Sequence, residues 1–520
     1  MKRKKINGRG LFTGAVLLFL GVFFLANLKL SKDPVKKFLK KETTFKELTQ
    51  EVRTNYTSDD FSKKTSFINL NGLFARVIGN RECNDVILLK NNMLSQVIEK
   101  TDMEKQANAI IGLADYTKQL GIPFLYVQAP YKEDMEGTLY PTGRESYGNE
   151  NADELLQLLG EGQVDIYDLR PMLSKTAEQV EQYFFRTDHH WKFEAAFVAF
   201  QEVVKNIMRI FPEKEYDLTC TQWDRWESHT LEDLLLGSRG KRVGRWFAGV
   251  EDVTWYTPKF ETKISRTWPD KQQFFTGDFE TAILRLMHID EEADYFERDS
   301  YCLYIGGEYP LVQLRNDQAA TDMKILIIRD SFTKPMMAYM STMFSEIAAI
   351  DPRRLTECSV AEYVKRCNPD MVIFMVNPSV IGDSKYTSLG VEEALKAKEP
   401  TLTSTLKKNI TIKPADNQHK QDSSITVENG KTYTLCFSDV EFTDGASEGI
   451  VVSLYDKTAK KVLYSGVFDL EYEREHGKFE WIFTTPKGTN SLCLRLYAGV
   501  PGATAGNGVI YKDVELLEWK

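Results

Sequence analysis

Two short motifs, far apart in the chain, contain the residue types of a nucleophilic catalyst. Asp188 and His190 form an Asp-x-His pair within the run Tyr-Phe-Phe-Arg-Thr-Asp-His-His-Trp-Lys-Phe, just before a long amphipathic segment. Such a pair can supply a base together with the carboxylate that orients it. Ser331 directly follows the run Lys-Ile-Leu-Ile-Ile-Arg-Asp, which is where a nucleophile elbow would place its serine. We therefore predict a Ser331–His190–Asp188 triad, in which the imidazole removes the proton of an otherwise weakly nucleophilic hydroxyl.

Three further residues are candidates for binding an oxyanion or the substrate. Ser331 opens a helix-like segment, so backbone N–H groups there can face a developing negative charge. Asn377 ends a neighbouring predicted strand and could donate a side-chain hydrogen bond. Gly307 ends a predicted strand over residues 301–307 and could offer an unhindered N–H. Arg353 could contact a carboxylate, a hydroxyl or the oxyanion, or it could simply pair with an acid.

Each motif also has an alternative interpretation. A serine after a strand is commonly an N-cap, and Thr187 or Asp188 could likewise cap the following helix. A different class of function, a phosphoesterase-like metal cluster, would use Asp168, Asp188, His189 and His190. However, adjacent His189 and His190 cannot readily point to one side of a strand, and the further Asp-rich motifs of such a site are absent. The sequence therefore predicts no metal site and no cofactor.

A glycine-rich basic loop, Gly-Ser-Arg-Gly-Lys-Arg-Val-Gly, covers residues 237–244. It could cradle an anion, although it lacks the Gly-Lys-Ser/Thr ending of a P-loop and follows no convincing strand. We interpret it as a surface turn, with the anion cradle as the alternative.

Alternating strands and helices are predicted to position these residues. Helical periodicity over residues 104–119 and 195–210 alternates with apolar, strand-like runs at 122–130 and 164–168. A βαβαβ pattern over residues 324–377 is the strongest fold signal. Strands separated by helices favour an α/β fold with a mostly parallel sheet covered on both faces. The predicted serine nucleophile would then lie at the carboxyl edge of that sheet.

The composition changes near residues 397–403, where helical patterns stop. Short alternating strands follow, separated by turn signals such as Glu-Asn-Gly and Pro-Lys-Gly, which predicts an all-β sandwich of about 120 residues. Of the seven cysteines, Cys436 and Cys493 fall in its strand-like runs and could pair, although two buried thiols fit the pattern better. Aromatic residues of this region that are candidates for stacking on sugars are Tyr472, Trp481, Tyr497 and Trp519.

The charge pattern separates the N-terminus from the rest of the chain. Five Lys and Arg residues within residues 1–10 precede a charge-free, largely apolar stretch over residues 11–28, close to the roughly 20 residues that span a membrane. The basic flank predicts a cytoplasmic N-terminus and main domains outside the membrane, and no small-x-small cleavage site follows. We therefore predict an uncleaved anchor. The net charge of −9 argues against nucleic-acid binding.

Three of these motifs together resemble the DHHW family: Arg-Thr-Asp-His-His-Trp, the glycine-rich basic loop and Arg-Asp-Ser-Phe. That family is similar to the alginate acetylation proteins of the AlgJ and AlgX type, whose SGNH-hydrolase-like fold has the Asp-x-His block before the serine block. The resemblance covers about residues 80–395. It implies that Asp188, His190 and Ser331 are the triad and that Asn377 lies at the oxyanion position. It also implies O-acetyl transfer onto an extracellular polysaccharide, with a C-terminal β-sandwich that binds polymer.

The predicted organisation has four parts: a cytoplasmic tail and anchor at 1–30, a stalk at 31–80, an SGNH-like catalytic domain at 81–398 and a carbohydrate-binding-module-like sandwich at 399–520. We expect Ser331 to take an acetyl group, delivered by a membrane-bound O-acyltransferase, and to pass it to a cell-surface or secreted polysaccharide. Two alternatives remain open. One is a polysaccharide acetylesterase with the same triad, and the other is a non-catalytic polysaccharide-binding assembly protein.

Overall fold

The structure is a computed structural model that describes residues 27–57, 63–380, 383–396, 402–412, 420–443, 445–477, 479–488, 492–501 and 508–519. Its helices, in chain order, are α1 (Lys29–Leu39), α2 (Phe45–Thr57), α3 (Lys64–Val77), α4 (Glu104–Gln119), α5 (Gly148–Glu161), α6 (Arg170–Leu173), α7 (Ala177–Tyr183), α8 (Phe193–Ile210), α9 (Ser238–Val243), α10 (Arg245–Ala248), α11 (Phe279–Ile283), α12 (Lys334–Met340), α13 (Val360–Cys367), α14 (Ser384–Thr387), α15 (Val391–Lys396) and α16 (Leu470–His476). Its strands are β1 (Glu82–Cys83), β2 (Val86–Leu88), β3 (Leu94–Ser95), β4 (Phe124–Gln128), β5 (Ile166–Asp168), β6 (Trp226–Leu235), β7 (Glu251–Pro258), β8 (Ile264–Trp268), β9 (Gln273–Gly277), β10 (Leu311–Asn316), β11 (Thr321–Arg329), β12 (Phe344–Ile350), β13 (Met371–Met375), β14 (Leu402–Ile412), β15 (Lys420–Thr426), β16 (Thr432–Phe437), β17 (Asp439–Phe442), β18 (Gly449–Asp456), β19 (Lys461–Asp469), β20 (Phe479–Thr484), β21 (Leu492–Tyr497) and β22 (Val509–Trp519).

The chain divides into two compact units. One combines residues 1–84 with residues 240–249, and the other combines residues 85–239 with residues 250–520. In the smaller unit, α3 packs closely on the segment that precedes α10, because Gly72 has no side chain: a Cβ there would lie 1.9 Å from the Val243 carbonyl oxygen. The four-part organisation predicted from the sequence stays a prediction.

Residues 11–28 are predicted to span a membrane. None of the helices within the described ranges is both long and apolar enough to cross a bilayer. The structure describes only the last two residues of the predicted anchor, so that segment lies almost entirely outside the described residues and the anchor stays a prediction.

An eight-stranded sheet in the order β5-β4-β13-β11-β12-β10-β8-β9 organises the larger unit. The first five of these strands are parallel, which agrees with the predicted parallel sheet. The last three are antiparallel and come from a stretch whose sequence showed no regular pattern. Polar and charged residues such as Arg266 and Arg315 interrupt the apolar runs of β8 and β10, so these strands have no continuous hydrophobic signature.

Helices cover both faces of the parallel half of the sheet. Ile325 and Ile327 of the central strand β11 belong to a core that includes α8 and α12, whereas Leu326 and Ile328 belong to a second core with α4, α5 and α13. All four side chains are fully buried. A strand buried on both faces is a continuous apolar run, which is why the sequence predicts it so clearly.

The C-terminal region is a β-sandwich. One sheet has the order β14-β22-β16-β20 with β17 on β22, and the other has the order β15-β21-β18-β19. The two sheets share one apolar core. The predicted all-β architecture is confirmed, apart from helix α16, which was not predicted. The Asp469 carboxylate begins this helix by accepting the backbone N–H groups of Glu471 and Tyr472 at 3.1 and 3.2 Å.

All seven cysteines are free thiols. Cys436 and Cys493 lie on β16 and β21, which belong to different sheets of the sandwich. Their strand neighbours Leu435 and Leu494 belong to the core between the sheets, so the two thiols lie on opposite outer faces of the sandwich. The possible Cys436–Cys493 pairing is therefore wrong. Of the two free thiols, Cys493 is buried as predicted, whereas Cys436 is half-buried.

Candidate active site

The structure brings the three predicted triad residues together. The Ser331 Oγ lies 2.8 Å from His190 Nε2, although 141 positions separate the two residues in the chain. On the other side of the ring, His190 Nδ1 lies 2.6 Å from Asp188 Oδ1. Asp188 and His190 are buried and Ser331 is half-buried. One continuous chain of hydrogen bonds thus links a partly accessible hydroxyl to a buried carboxylate.

Neighbouring strand ends place Ser331 beside Asn377. Arg329 of β11 is in register with Met375 of β13. Ser331 lies two positions after Arg329, and Asn377 lies two positions after Met375. Ser331 begins a short 3-10 helix that leads into α12, so its backbone N–H belongs to a first turn whose N–H groups have no partner inside the helix. Asn377 Oδ1 accepts the Ser379 N–H at 2.7 Å, which leaves its Nδ2 as the donor end of the side chain.

Asp330, which is not among the predicted site residues, joins these two turns. Its Oδ1 accepts the Phe332 N–H at 2.8 Å and its Oδ2 accepts the Asn377 N–H at 2.9 Å. Burial raises the pKa of Asp330, and the two N–H groups oppose that change by stabilising the carboxylate. The capping position of an Asp directly after a strand and before a helical turn was the available signal. The contact to Asn377 had none, because it depends on strand order.

The glycine-rich basic loop holds the Asp188 carboxylate. The backbone N–H of Ser238 donates to Asp188 Oδ2 at 2.6 Å, and the N–H of Gly237 donates to Thr187 Oγ1 at 3.0 Å. A Cβ at Gly237 would lie only 2.4 Å from the Cβ of Asp188, so this approach requires glycine. The interpretation of Gly237 as part of a surface turn is therefore wrong. The loop does cradle an anion, and that anion is the chain's own carboxylate.

A buried lysine and a half-buried glutamate hold the backbone of the Asp-x-His loop. The Lys132 ammonium donates to the carbonyl oxygens of Arg186 and Asp188 at 2.9 and 2.7 Å. The Glu251 carboxylate accepts the backbone N–H groups of Arg186 and Thr187, both at 2.6 Å. Burial lowers the pKa of Lys132 well below its usual value, and the nearby Glu251 carboxylate opposes this change. Neither residue lies in a recognisable motif, so neither could be predicted from the sequence.

Aromatic contacts fix the plane of the His190 ring. Tyr301 stacks on the His190 ring, with ring centroids 3.6 Å apart and an angle of 10° between the planes. The centroid of the His189 ring lies 3.7 Å from that of His190. The Tyr301 hydroxyl and the Trp191 indole N–H both donate to the Phe332 carbonyl, at 3.1 and 3.0 Å. The residue after Ser331 is thereby connected to the residues that flank the imidazole.

Ionisation follows from these contacts. Burial opposes ionisation of Asp188, but the imidazoles of His189 and His190 and the Ser238 N–H outweigh it, so the pKa of this carboxyl lies well below its usual range. Burial and the neighbouring positive charges of His190, Arg239 and Lys132 lower the pKa of His189 far below its usual value, although Asp188 opposes this. Near pH 7 the site therefore combines an ionised carboxylate with a neutral His189 ring.

The remaining predicted site residues are less directly placed. Arg353 makes a bidentate contact with Asp351 at 2.9 and 2.7 Å, which matches the alternative of pairing with an acid. The predicted strand that ends at Gly307 is wrong. Ser300–Leu303 is a 3-10 helix, and Ile305 and Gly306 have φ angles of 69° and 90°, which are incompatible with extended backbone. A role for Arg353 or Gly307 in binding an oxyanion stays a prediction.

The metal-cluster alternative does not fit the contacts. Asp168 is occupied by a bidentate interaction with Arg170. Asp188, His189 and His190 present ligand atoms within 4.8 Å of one another. However, His190 Nδ1 bonds to Asp188, and His189 Nδ1 lies 2.7 Å from the Ser238 hydroxyl. Asp168 therefore lies apart from the other three residues, whose contacts are those of a hydrogen-bonded base.

A cavity of about 330 Å³ lies elsewhere, beneath the sandwich and along one face of β10 and β12. Charged side chains line it, including Arg315, Lys324, Glu346 and Glu473, and none of the triad residues does. Of the aromatic residues predicted to stack on sugars, Tyr497 is buried, whereas Tyr472, Trp481 and Trp519 are half-buried. Tyr472 packs between Arg315 and His476, Trp481 packs against Phe483 and Gly466, and Trp519 donates to Thr434. Sugar binding by these four residues stays a prediction.

Comparisons with known proteins agree with the resemblance inferred from the motifs. Residues 84–251 match the family described as SGNH hydrolase-like domain, acetyltransferase AlgX. This segment contains Asp188 and His190, whereas Ser331 lies beyond it. No curated protein matches the chain significantly.

Similar solved structures include Bacillus cereus PatB1, with 21% identity over 58% of this chain and 99% of that chain and a TM-score of 0.48. A DHHW family protein from Eubacterium siraeum has 17% identity over 61% of this chain and 98% of that chain, with a TM-score of 0.45. Pseudomonas aeruginosa AlgX has 13% identity over 83% and 94%, respectively, with a TM-score of 0.35. These likenesses assign no residue a role, and the roles proposed below depend on contacts within this chain. Residues 84–251 therefore resemble the SGNH hydrolase-like domain of the acetyltransferase AlgX. They form part of an α/β region that is followed by a β-rich C-terminal region.

Proposed function

We propose that this protein is an O-acetyltransferase that transfers an acetyl group through an acetyl-Ser331 intermediate onto a polysaccharide. The observation that carries the proposal is the hydrogen-bonded series from Ser331 Oγ through the His190 ring to Asp188. The match of residues 84–251 to the SGNH hydrolase-like domain of an acetyltransferase supports the acetyl group as the cargo. Attachment by residues 11–28, with the main domains outside the cell, is part of the proposal.

In the first half-reaction, His190 Nε2 removes the Ser331 Oγ proton as the oxygen attacks the carbonyl carbon of an acetyl donor. The bond between that carbon and the donor's leaving atom breaks, and the leaving group takes the proton from His190. Asp188 holds the ring in the correct tautomer and stabilises its positive charge while the proton is bound. The donor would be presented by a membrane-bound O-acyltransferase.

In the second half-reaction, a sugar hydroxyl gives its proton to His190 and attacks the acetyl carbon. The Ser331 ester bond then breaks, and Ser331 Oγ recovers the proton from the imidazolium. Both steps develop negative charge on the carbonyl oxygen. The Ser331 backbone N–H and the Asn377 Nδ2 are the proposed donors to that oxygen, since adjacent strand ends carry both residues.

The test uses the full chain in detergent with 4-nitrophenyl acetate as donor. The wild type should release a burst of nitrophenol and carry an acetyl group on Ser331, detected by peptide mass spectrometry. Ser331→Ala should lose the adduct and about 10³-fold or more of the turnover. Ser345→Ala, which removes a half-buried hydroxyl bonded to the Met323 carbonyl, is the matched control and should retain both.

An adduct that persists in Ser331→Ala would contradict the proposal. Release of acetate without transfer to any added oligosaccharide would instead identify an acetylesterase with the same nucleophile.

A further inference from the structure

We propose that His189 contacts the acetyl acceptor and selects a carbohydrate diol over water in the second half-reaction. This inference rests on the proposed transferase function and adds to it a residue that distinguishes transfer from hydrolysis. It concerns the first histidine of the Asp-His-His-Trp motif, for which neither half-reaction above has a use.

His189 is the accessible member of the Asp-x-His cluster. Its side chain is 33% exposed, compared with 7% for Asp188 and 9% for His190. The ring centroids of His189 and His190 lie 3.7 Å apart with the planes tilted by 39°, and His190 Nε2 in turn lies 2.8 Å from Ser331 Oγ. His189 therefore borders the space in which an acceptor must lie when it delivers its proton to His190.

The surrounding loop leaves one polar atom of His189 for a ligand. Its Nδ1 lies 2.7 Å from the Ser238 hydroxyl. The backbone N–H of the same Ser238 donates to Asp188, so one residue positions both the carboxylate and the neighbouring ring. Because the ring is neutral near pH 7, its Nε2 can either donate or accept a hydrogen bond, depending on the tautomer.

A second hydroxyl is what distinguishes a sugar from water at this position. A pyranoside that offers one hydroxyl to the acetyl carbon carries another on the adjacent carbon, within reach of a group beside His190. Water has no second hydroxyl. A hydrogen bond from His189 Nε2 to that neighbouring hydroxyl would hold the acceptor while His190 takes the proton from the attacking one. This hydrogen bond acts when the acetyl group passes from Ser331 to the acceptor. It has no part in the formation of acetyl-Ser331.

The test measures the fraction of the acetyl groups on Ser331 that is transferred to each acceptor. The full chain is acetylated with 4-nitrophenyl acetate in the presence of ethylene glycol, a vicinal diol, or ethanol, which has one hydroxyl. We expect the wild type to prefer the diol by clearly more than the twofold that its two hydroxyls allow. His189→Phe keeps an aromatic ring beside His190 without the nitrogens. The preference compares two products of the same acetyl-Ser331, so it should fall about 10-fold whatever the size of the nitrophenol burst. His189→Gln should restore part of the preference.

His476→Phe is the matched control, because it makes the same change in a ring that stacks on Tyr472 in the sandwich. It should alter neither the burst nor the preference. Absence of a burst in the wild type would refute the proposed function itself. A normal burst with no diol preference in the wild type, or with an unchanged preference in His189→Phe, would overturn only the role of His189. Loss of the burst in both His189→Phe and His189→Gln would also overturn it, since His189 would then serve acetylation.

Discussion

The edge of the sheet that carries Ser331 and the cavity beneath the sandwich both contain buried charges, but they use them differently. At the edge, Asp188, Asp330 and Glu251 accept backbone N–H groups, so each carboxylate fixes the path of a loop. In the cavity, side chains pair with side chains, as in the 2.9 Å contact of Arg315 with Glu473. Charges bonded to backbone place catalytic atoms accurately, whereas charge pairs between layers mainly join the layers. The cavity beneath the sandwich is therefore not where the chemistry is expected.

The largest difference is expected when one carboxylate in each region loses its charge. Asp188→Asn should lower turnover about 10³- to 10⁴-fold with little change in fold, because an amide cannot stabilise the imidazolium or hold its tautomer in the same way. Glu473→Gln should leave turnover within about twofold and lower the melting temperature, since it leaves the buried Arg315 without its ionic partner. Turnover with 4-nitrophenyl acetate and thermal unfolding measure the two effects.

A similar loss of turnover in both variants would show that the cavity and the sheet edge work as one unit, and the comparison would fail. Normal turnover in Asp188→Asn would show that the carboxylate has no part in activating His190.

Two glycines provide a second contrast. Gly237→Ala would place a Cβ 2.4 Å from the Asp188 Cβ and must displace the loop that orients His190, so turnover should fall about 10²-fold. Gly466→Ala would place a Cβ 2.8 Å from the Trp481 ring, and this overpacking should cost about 1–3 kcal/mol of stability without reducing turnover. Initial rates and urea unfolding at one temperature distinguish the two outcomes. Equal losses of turnover would indicate that Gly237 acts only through general stability.

Much of the fold could be predicted because burial leaves a pattern in the sequence. The fully buried residues of β11 form an apolar run, and the alternating strands of the sandwich follow a period of two. The antiparallel strands β8 and β10 escaped prediction because Arg266 and Arg315 lie within them. The supposed strand before Gly307 was apolar enough, but positive φ angles at Ile305 and Gly306 turn the backbone there.

The triad contacts were predicted from two motifs, yet the groups that hold them were not. Asp-x-His and a serine after a strand are local signals with a known chemistry. Lys132 and Glu251 act on backbone atoms of a loop that is distant from them in the chain, so no spacing reveals them. Tyr301 was expected in a strand, and its stacking on His190 depends on the tertiary fold. Positioning residues are determined by three-dimensional contacts and therefore leave weak sequence signals.

The smallest expected effects concern the dependence of the unfolding free energy on pH. One glutamate in each region should change this free energy with pH in opposite directions. Glu308, beside the Ser331 turn, has a pKa of about 2: burial opposes its ionisation, but Lys334, Arg329 and Arg353 outweigh it. A depressed acid contributes stability above its unfolded pKa of about 4.5 and loses it as the pH falls towards 2. Glu357 in the cavity has a pKa of about 7 because of burial, opposed by Arg366. A raised acid contributes stability below about pH 4.5 and loses it as the pH rises towards 7.

Replacing each glutamate by glutamine should separate the two contributions to the pH dependence of the unfolding free energy. Glu308→Gln should flatten the loss of unfolding free energy between pH 4.5 and 2, and Glu357→Gln should flatten the loss between pH 4.5 and 7. Since both groups retain some contact with solvent, each change should be about 1–2 kcal/mol. Urea unfolding at pH 3, 4.5 and 7 measures both. If Glu357→Gln altered the acid slope instead, its carboxyl would be ionised like that of Glu308, and the electrostatic contrast between cavity and sheet edge would disappear.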